Sequence, residues 1–174
     1  MKHMTNEQKR VRLESIHGIP FTSDNQVQVL RNGYEIFPAM LTAIREAEKV
    51  INFLTYVYWA GDIADKFAES LAQKAREGVV VRVLLDSYGA KQMPESLASK
   101  MKDAGVRIAW FRPLKGLRIW QMDNRTHRKA LICDNTIAFT GGVGIAEEWD
   151  GDARNPDEWR ETHFEIRGSA VQGI

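Results

Sequence analysis

The sequence predicts an α/β fold: a mixed, largely parallel sheet flanked by helices on both faces. Two segments in succession run helix, glycine, apolar strand, first up to Gly78 and Val79–Asp86, then Pro94–Ala104, Gly105 and Val106–Phe111. That order belongs to parallel strands joined by covering helices. Val79–Asp86 is also almost wholly apolar, as a strand buried on both faces must be. The third observation is size. At 174 residues, 44% hydrophobic and 27% charged, the chain has room for one domain with a core.

Residues 1–23 read as an N-terminal arm, with Met1–Met4 partly a tag remnant, and residues 24–174 as the single α/β domain. In the arm, Thr5–Ser15 is charged with weak helical spacing, and His17-Gly18-Ile19-Pro20 is a breaker. Val27, Val29 and Tyr34 bracket a short strand that turns at Asn32-Gly33. A helix is expected from about Phe37 to Lys49, since Met40, Leu41, Ile44 and Ala47 recur at three and four. Val50–Trp59, β-branched and aromatic, is a strand. Tyr56, Tyr58 and Trp59 at its end suit either the floor of a cleft or core packing. Gly61-Asp62 opens the next helix with Asp62 as N-cap, and Gly78 closes it. Asp86 ends its strand at the carboxyl edge, where open α/β sheets bind ligands, although a capping role fits equally.

The remaining chain carries the chemistry. Arg112, Lys115, Arg118 and Arg125 surround Trp120 in a loop that suits a phosphate group or plain solvation. Arg128–Cys133 is a short buried strand, so His127 and Lys129 share a face by alternation. Cys133 shares it too and reads as a packed thiol. Asp134 falls on the other side, at an Asp-Asn turn into a second strand, Thr136–Thr140. That strand enters Gly141-Gly142-Val143-Gly144 and a helical stretch, Ile145–Trp149, whose start would offer backbone N–H groups to an anion. Imidazole, ammonium and N–H cradle on one rim suit a phosphodiester. Farther on, Glu161, His163 and Glu165 alternate with Thr162, Phe164 and Ile166 on a last strand.

The spacing from His127 to Gly142 is HxKx4Dx6GG, which resembles the signature of the phospholipase D superfamily. Phe37-Pro38-Ala39-Met40, Thr55-Tyr56, Val81–Asp86, Phe111-Arg112-Pro113 and Trp159–His163 resemble its cardiolipin synthase branch over roughly residues 24 to 170. The resemblance implies a single catalytic repeat. His127 would be the nucleophile, forming a phosphohistidine, and Lys129 would neutralise a phosphate oxygen. Glu161 would fix the tautomer of His127, and Asp134 would complete the motif, bracing the turn more than reacting. Gly141, Gly142 and Gly144 would bind the substrate phosphate, with Tyr56, Asp86, Arg125 and His163 as candidate cleft-lining residues. The same resemblance implies hydrolysis or phosphatidyl transfer on a phospholipid or another phosphodiester, with no cofactor and no metal. It also calls for a second H-x-K copy to protonate the leaving oxygen. His3, His17 and His163 are not followed two places on by lysine, so the expected partner is a second repeat, as a missing C-terminal half or a homodimer mate. The ending Arg167–Ile174 resembles the middle of a longer relative. A homodimeric phosphodiesterase or nuclease, and a non-catalytic phosphate-binding module, are the alternatives.

Bulk properties narrow the classes. With 24 Lys and Arg against 23 acids, the net charge of +1 gives no overall attraction to nucleic acid or membrane. One cysteine allows no internal disulfide. No apolar run reaches the length of a membrane span, and no signal peptide opens the chain. The expected location is cytoplasmic or peripheral at the membrane, with peripheral membrane contact among the expected interactions. No spaced His, Cys and Asp cluster offers a metal a home.

Overall fold

A computed structural model of the protein describes residues 4–113 and 125–174. The elements run α1 (Asn6–His17), β1 (Gln26–Arg31), α2 (Asn32–Glu46), β2 (Val50–Thr55), α3 (Asp62–Arg76), β3 (Val80–Asp86), α4 (Glu95–Asp103) and β4 (Arg107–Phe111). Beyond the undescribed residues come β5 (Ala130–Cys133), β6 (Ile137–Gly141) and β7 (Thr162–Arg167). The strands form one sheet in the order β1-β7-β6-β5-β2-β3-β4.

The sheet is mixed, as the sequence predicts, although antiparallel pairings outnumber the parallel ones that were expected to dominate. Parallel pairing joins β2 to β3 and β3 to β4, where the helix–glycine–strand units were read. Antiparallel pairing joins β2 to β5, β5 to β6, β6 to β7 and β7 to β1. Five strands therefore point one way, with β5 and β7 reversed. Helices α2, α3 and α4 pack side by side on one face, over Ile51, Phe53, Val81, Val83, Leu85, Leu131 and Phe139. Phe67 of α3 sits at the centre of this layer, edge-on to Phe37 at 5.8 Å and stacked on Phe53 at 5.9 Å. Each such ring pair contributes about 0.5–1.5 kcal/mol beyond the area buried. On the opposite face, Asn52, Leu54, Arg82, Leu84, Ala130 and Ile132 line an open groove that Ile174 also borders.

Three local expectations change. Asn32-Gly33 is not a hairpin turn: β1 runs straight into α2, which begins at Asn32 and keeps Pro38 inside it. A Cβ on Gly33 would overlap the Trp149 carbonyl, so this glycine serves a tertiary approach. At α3 the N-cap is Gly61, with φ 129°, and Asp62 is the first helical residue. The expected helix Ile145–Trp149 is one 3-10 turn, Glu147–Trp149. The arm is more ordered than its spacing suggests: Thr5 and Gln8 form a reciprocal capping box on α1, although that helix buries no residue.

Candidate active site

β5 delivers the signature to the end of the sheet. Just before it, the exposed His127 ring lies on the face of Tyr56, with centroids 4.0 Å apart and planes 22° apart. The half-buried Lys129 donates from Nζ to the His127 carbonyl at 2.9 Å and sits 5.6 Å from the Tyr56 ring centre. Thr140 Oγ1 donates to the Lys129 carbonyl at 2.9 Å, tying β6 to the same spot. Burial lowers the Lys129 pKa, and the nearby Glu161 carboxylate opposes that shift. Tyr56 titrates above its ordinary value because of burial first and the charge of Asp86 second.

The glycine pair has a purpose that spacing alone did not reveal. Gly141 stands opposite His163 in the β6–β7 register, and a Cβ on it would overlap Nδ1 of that imidazole. A Cβ on Gly142 would overlap the Glu161 carboxylate. The pair makes room for an imidazole and a carboxylate. Gly144 admits Val57 and the Trp149 ring and faces the core. With only a 3-10 turn after it, the segment lacks the helix N-terminus read from the sequence.

His163 is 1% exposed, and its Nδ1 has no hydrogen-bond partner. Burial, and then the Lys129 charge, push its pKa down to about 4. Glu161 accepts from Thr162 N–H at 2.8 Å. Among the described residues no hydrogen bond joins Glu161 to His127, so the expected tautomer-fixing contact is absent from this arrangement. What fixes Glu161 is Asn32, whose N–H donates to the Glu161 carbonyl at 2.9 Å and whose Oδ1 accepts from the Glu161 N–H at 3.1 Å. Asn32 holds a left-handed φ of 52°, which asparagine tolerates. Sequence reading noticed the residue but gave it a turn.

Asp134 lies at the far end of β5. Its carboxylate accepts from the N–H groups of Glu48 (2.7 Å), Lys49 (2.8 Å) and Val50 (2.8 Å). Partial burial would raise its pKa, but these three donors outweigh it and hold the carboxyl below its ordinary value. Asp134 and Asn135 carry φ of 53° and 55°, the left-handed turn expected of that step. Beside them Cys133 is buried, and its thiol is pushed up to about 12 by burial and by Asp134.

Residues 40–149 match the family described as "Cardiolipin synthase, PLD-like domain". The chain belongs to that family. It is 33% identical over 160 residues to Cardiolipin synthase 1 of Bacillus cereus, covering 91% of this chain and 31% of that protein. It is 34% identical over 155 residues to the major cardiolipin synthase ClsA of Bacillus subtilis, covering 88% and 32%. The chain thus spans about a third of the length of the curated relatives it matches. Among solved structures it resembles Nuc, a phospholipase D family member from Salmonella typhimurium. The TM-score is 0.61 at 18% identity, covering 86% of this chain and 88% of that one. It also resembles phosphatidylserine synthase from Haemophilus influenzae, with TM-score 0.69 at 15% identity, covering 94% and 38%.

The other residues expected at this PLD-like site fall into two groups. Asp86 is fully buried and shapes the approach: it accepts from Tyr88 N–H (2.9 Å), Gly89 N–H (3.2 Å) and Thr126 N–H (3.3 Å), the last being the residue before His127. Arg125 Nη1 lies 3.6 Å from Asp86 and donates to the Arg112 carbonyl at 3.1 Å, while its buried Nε and Nη2 have no hydrogen-bond partner among the described residues. Lys115, Arg118 and Trp120 lie outside the described residues. Gly89, which sequence reading passed over, lets the Tyr56 ring lie flat, since a Cβ there would overlap the Tyr56 carbonyl. Among the described residues no group of three or more His, Cys, Asp or Glu could hold a metal ion, and no helix is long and apolar enough to cross a membrane.

Proposed function

We propose that the chain is one catalytic repeat of a phospholipase D-type phosphatidyltransferase or phosphodiesterase, with a phospholipid as substrate. The observation that carries this is the His127–Lys129 rim. An exposed imidazole held flat on Tyr56 stands beside an ammonium pinned to its own carbonyl. A ring nitrogen of His127 attacks phosphorus, a P–N bond forms and the P–O bond to the leaving alcohol breaks. The alcohol leaves with a proton from a second imidazole. A second alcohol or water then attacks phosphorus, returning that proton and breaking the P–N bond. Lys129 balances the charge that grows on the phosphate oxygens. Phospholipid is preferred over nucleic acid because the relatives above 30% identity are named cardiolipin synthases, and the net charge of +1 gives no pull toward a polyanion.

The second imidazole comes from another repeat, in the same polypeptide or a second copy. Mixing wild type with His127→Asn tests this. A site shared between two copies makes activity fall more steeply than linearly with the mutant fraction once subunits exchange. A linear fall in a protein shown to be monomeric would overturn the two-half reading. An acid-labile phosphoenzyme in wild type, absent in His127→Asn, is the expected chemical signature; its presence in the mutant would remove His127 from the nucleophile's role.

A further inference from the structure

Besides buried atoms of Arg125 and Thr126, the phosphohistidine scheme leaves the imidazole of His163 without work. His163 is 1% exposed, stands on β7 directly opposite Gly141, and has a ring nitrogen with no partner. A buried imidazole with an orphan nitrogen costs stability that an apolar side chain in the same space would not. Buried polar groups in folded proteins are nearly always satisfied, so the missing partner points to something that arrives. The position says what kind. Nδ1 lies against Gly141, Glu161 lies against Gly142, and Lys129 is close enough for its charge to act on the imidazole.

We propose that His163 is a phosphate-binding residue of this site, its unpartnered ring nitrogen donating a hydrogen bond to a phosphate oxygen that Lys129 also contacts. A neutral imidazole suits this position. A second cation beside the Lys129 ammonium would be repelled, whereas a neutral N–H adds a directed bond to the oxygen without adding charge. The ring keeps that neutral form through the physiological range, since burial and the Lys129 charge bring its pKa to about 4. The glycine pair then has a use in binding: it is the gap through which a side chain of the next strand reaches the anion. This inference rests on the reading of the rim as a phosphate site but not on His127 acting as nucleophile.

The probe is inorganic phosphate, added to the chain with 15N-labelled histidine rings and followed by NMR and calorimetry. The chain has four histidines, so single substitutions assign each ring. Phosphate should move the His163 ring resonances in wild type. His163→Leu should weaken phosphate binding about tenfold, the loss expected for one hydrogen bond to an anion, while leaving the melting temperature equal or higher. His163→Gln, which keeps an N–H donor, should bind within about threefold of wild type on the same arithmetic. Unmoved His163 resonances at saturating phosphate, or a folded His163→Leu that binds as tightly as wild type, would overturn the inference. If His127→Asn leaves turnover intact while phosphate binding still depends on His163, the catalytic reading fails and this one stands. The reverse pattern separates them the other way.

Discussion

The two ends of β5 are built on opposite principles. At its exit, Asp134 takes three backbone N–H groups from the Glu48–Val50 segment, and the carboxylate is satisfied by protein alone. At its entry, the His127 ring makes a stacking contact and no hydrogen bond among the described residues, Lys129 uses one donor, and the nearby His163 keeps an empty nitrogen. Four residues separate the ends. One motif thus contains a clasp and an open hand, and the spacing between them fixes where His127 and Lys129 stand relative to the sheet.

The contrast can be broken most sharply at the open end. In the active assembly, His127→Asn should lower turnover by roughly a thousandfold or more, since the covalent route is lost, while stability stays within about 0.5 kcal/mol because the side chain is exposed. Steady-state kinetics paired with thermal unfolding reads both; a loss of stability equal to that of an Asp134 variant would erase the distinction. At the clasp the signs reverse. Asp134→Ala should destabilise by about 2–4 kcal/mol by orphaning three N–H groups, measured by chemical denaturation, and Asp134→Asn should cost less because one carbonyl oxygen remains.

A third test uses pH. The folded pKa of His163 is depressed to about 4, below the ordinary imidazole value of 6.5, so the unfolded chain binds more protons between those values. Wild-type stability should therefore be fully present above about pH 6.5 and decline toward pH 4, by about 3 kcal/mol. His163→Leu should lack that part of the decline. Asp134, whose pKa is lowered below 3.8, contributes stability that is lost only at still lower pH, as pH falls through its folded value. Denaturation midpoints between pH 4 and 7 for the two proteins would show it, and parallel curves would refute the assignment. The smallest effect is at the glycines. Gly142→Ala should cost about 1 kcal/mol by moving the Glu161 carboxylate aside, and should lower the Lys129 pKa further because Glu161 supports it. Gly144→Ala, pressed against Val57 and Trp149, should affect stability without touching Lys129.

Much of this was legible in the residues. The closeness of His127 and Lys129, which meet the same Tyr56 ring, and the turn at Asp134-Asn135 follow from their short spacing and from local backbone preference, although the strand itself starts only at Ala130. The two helix–glycine–strand units follow from helical spacing and end signals. What escaped was decided by contacts across the chain. Asn32-Gly33 has the local chemistry of a hairpin, but Gly33 is needed under the Trp149 carbonyl and Asn32 is needed by Glu161, more than a hundred residues away. The glycine pair was read as an anion cradle because its neighbours in sequence are N–H groups. Its neighbours in space are the side chains of Glu161 and His163, brought there by the β6–β7 pairing register, which the local pattern does not specify.

The Asp134 clasp also sets an order of events in time. It ties residues 84 positions apart, so the loop from Val50 to Asp134 must close before the carboxylate meets its donors. The strands β2, β3 and β4 can pair as they are made, and β5, β6 and β7 form a second run of neighbours, yet the two runs meet only along β2 and β5. β1 must wait longest: made first, it pairs only with β7. Contacts so distant in sequence slow folding, and the polypeptide should assemble from its middle outward. In a pulse of hydrogen exchange during refolding, the amides of Gln26–Arg31 should be the last in the sheet to gain protection, after those of Ile51–Leu54.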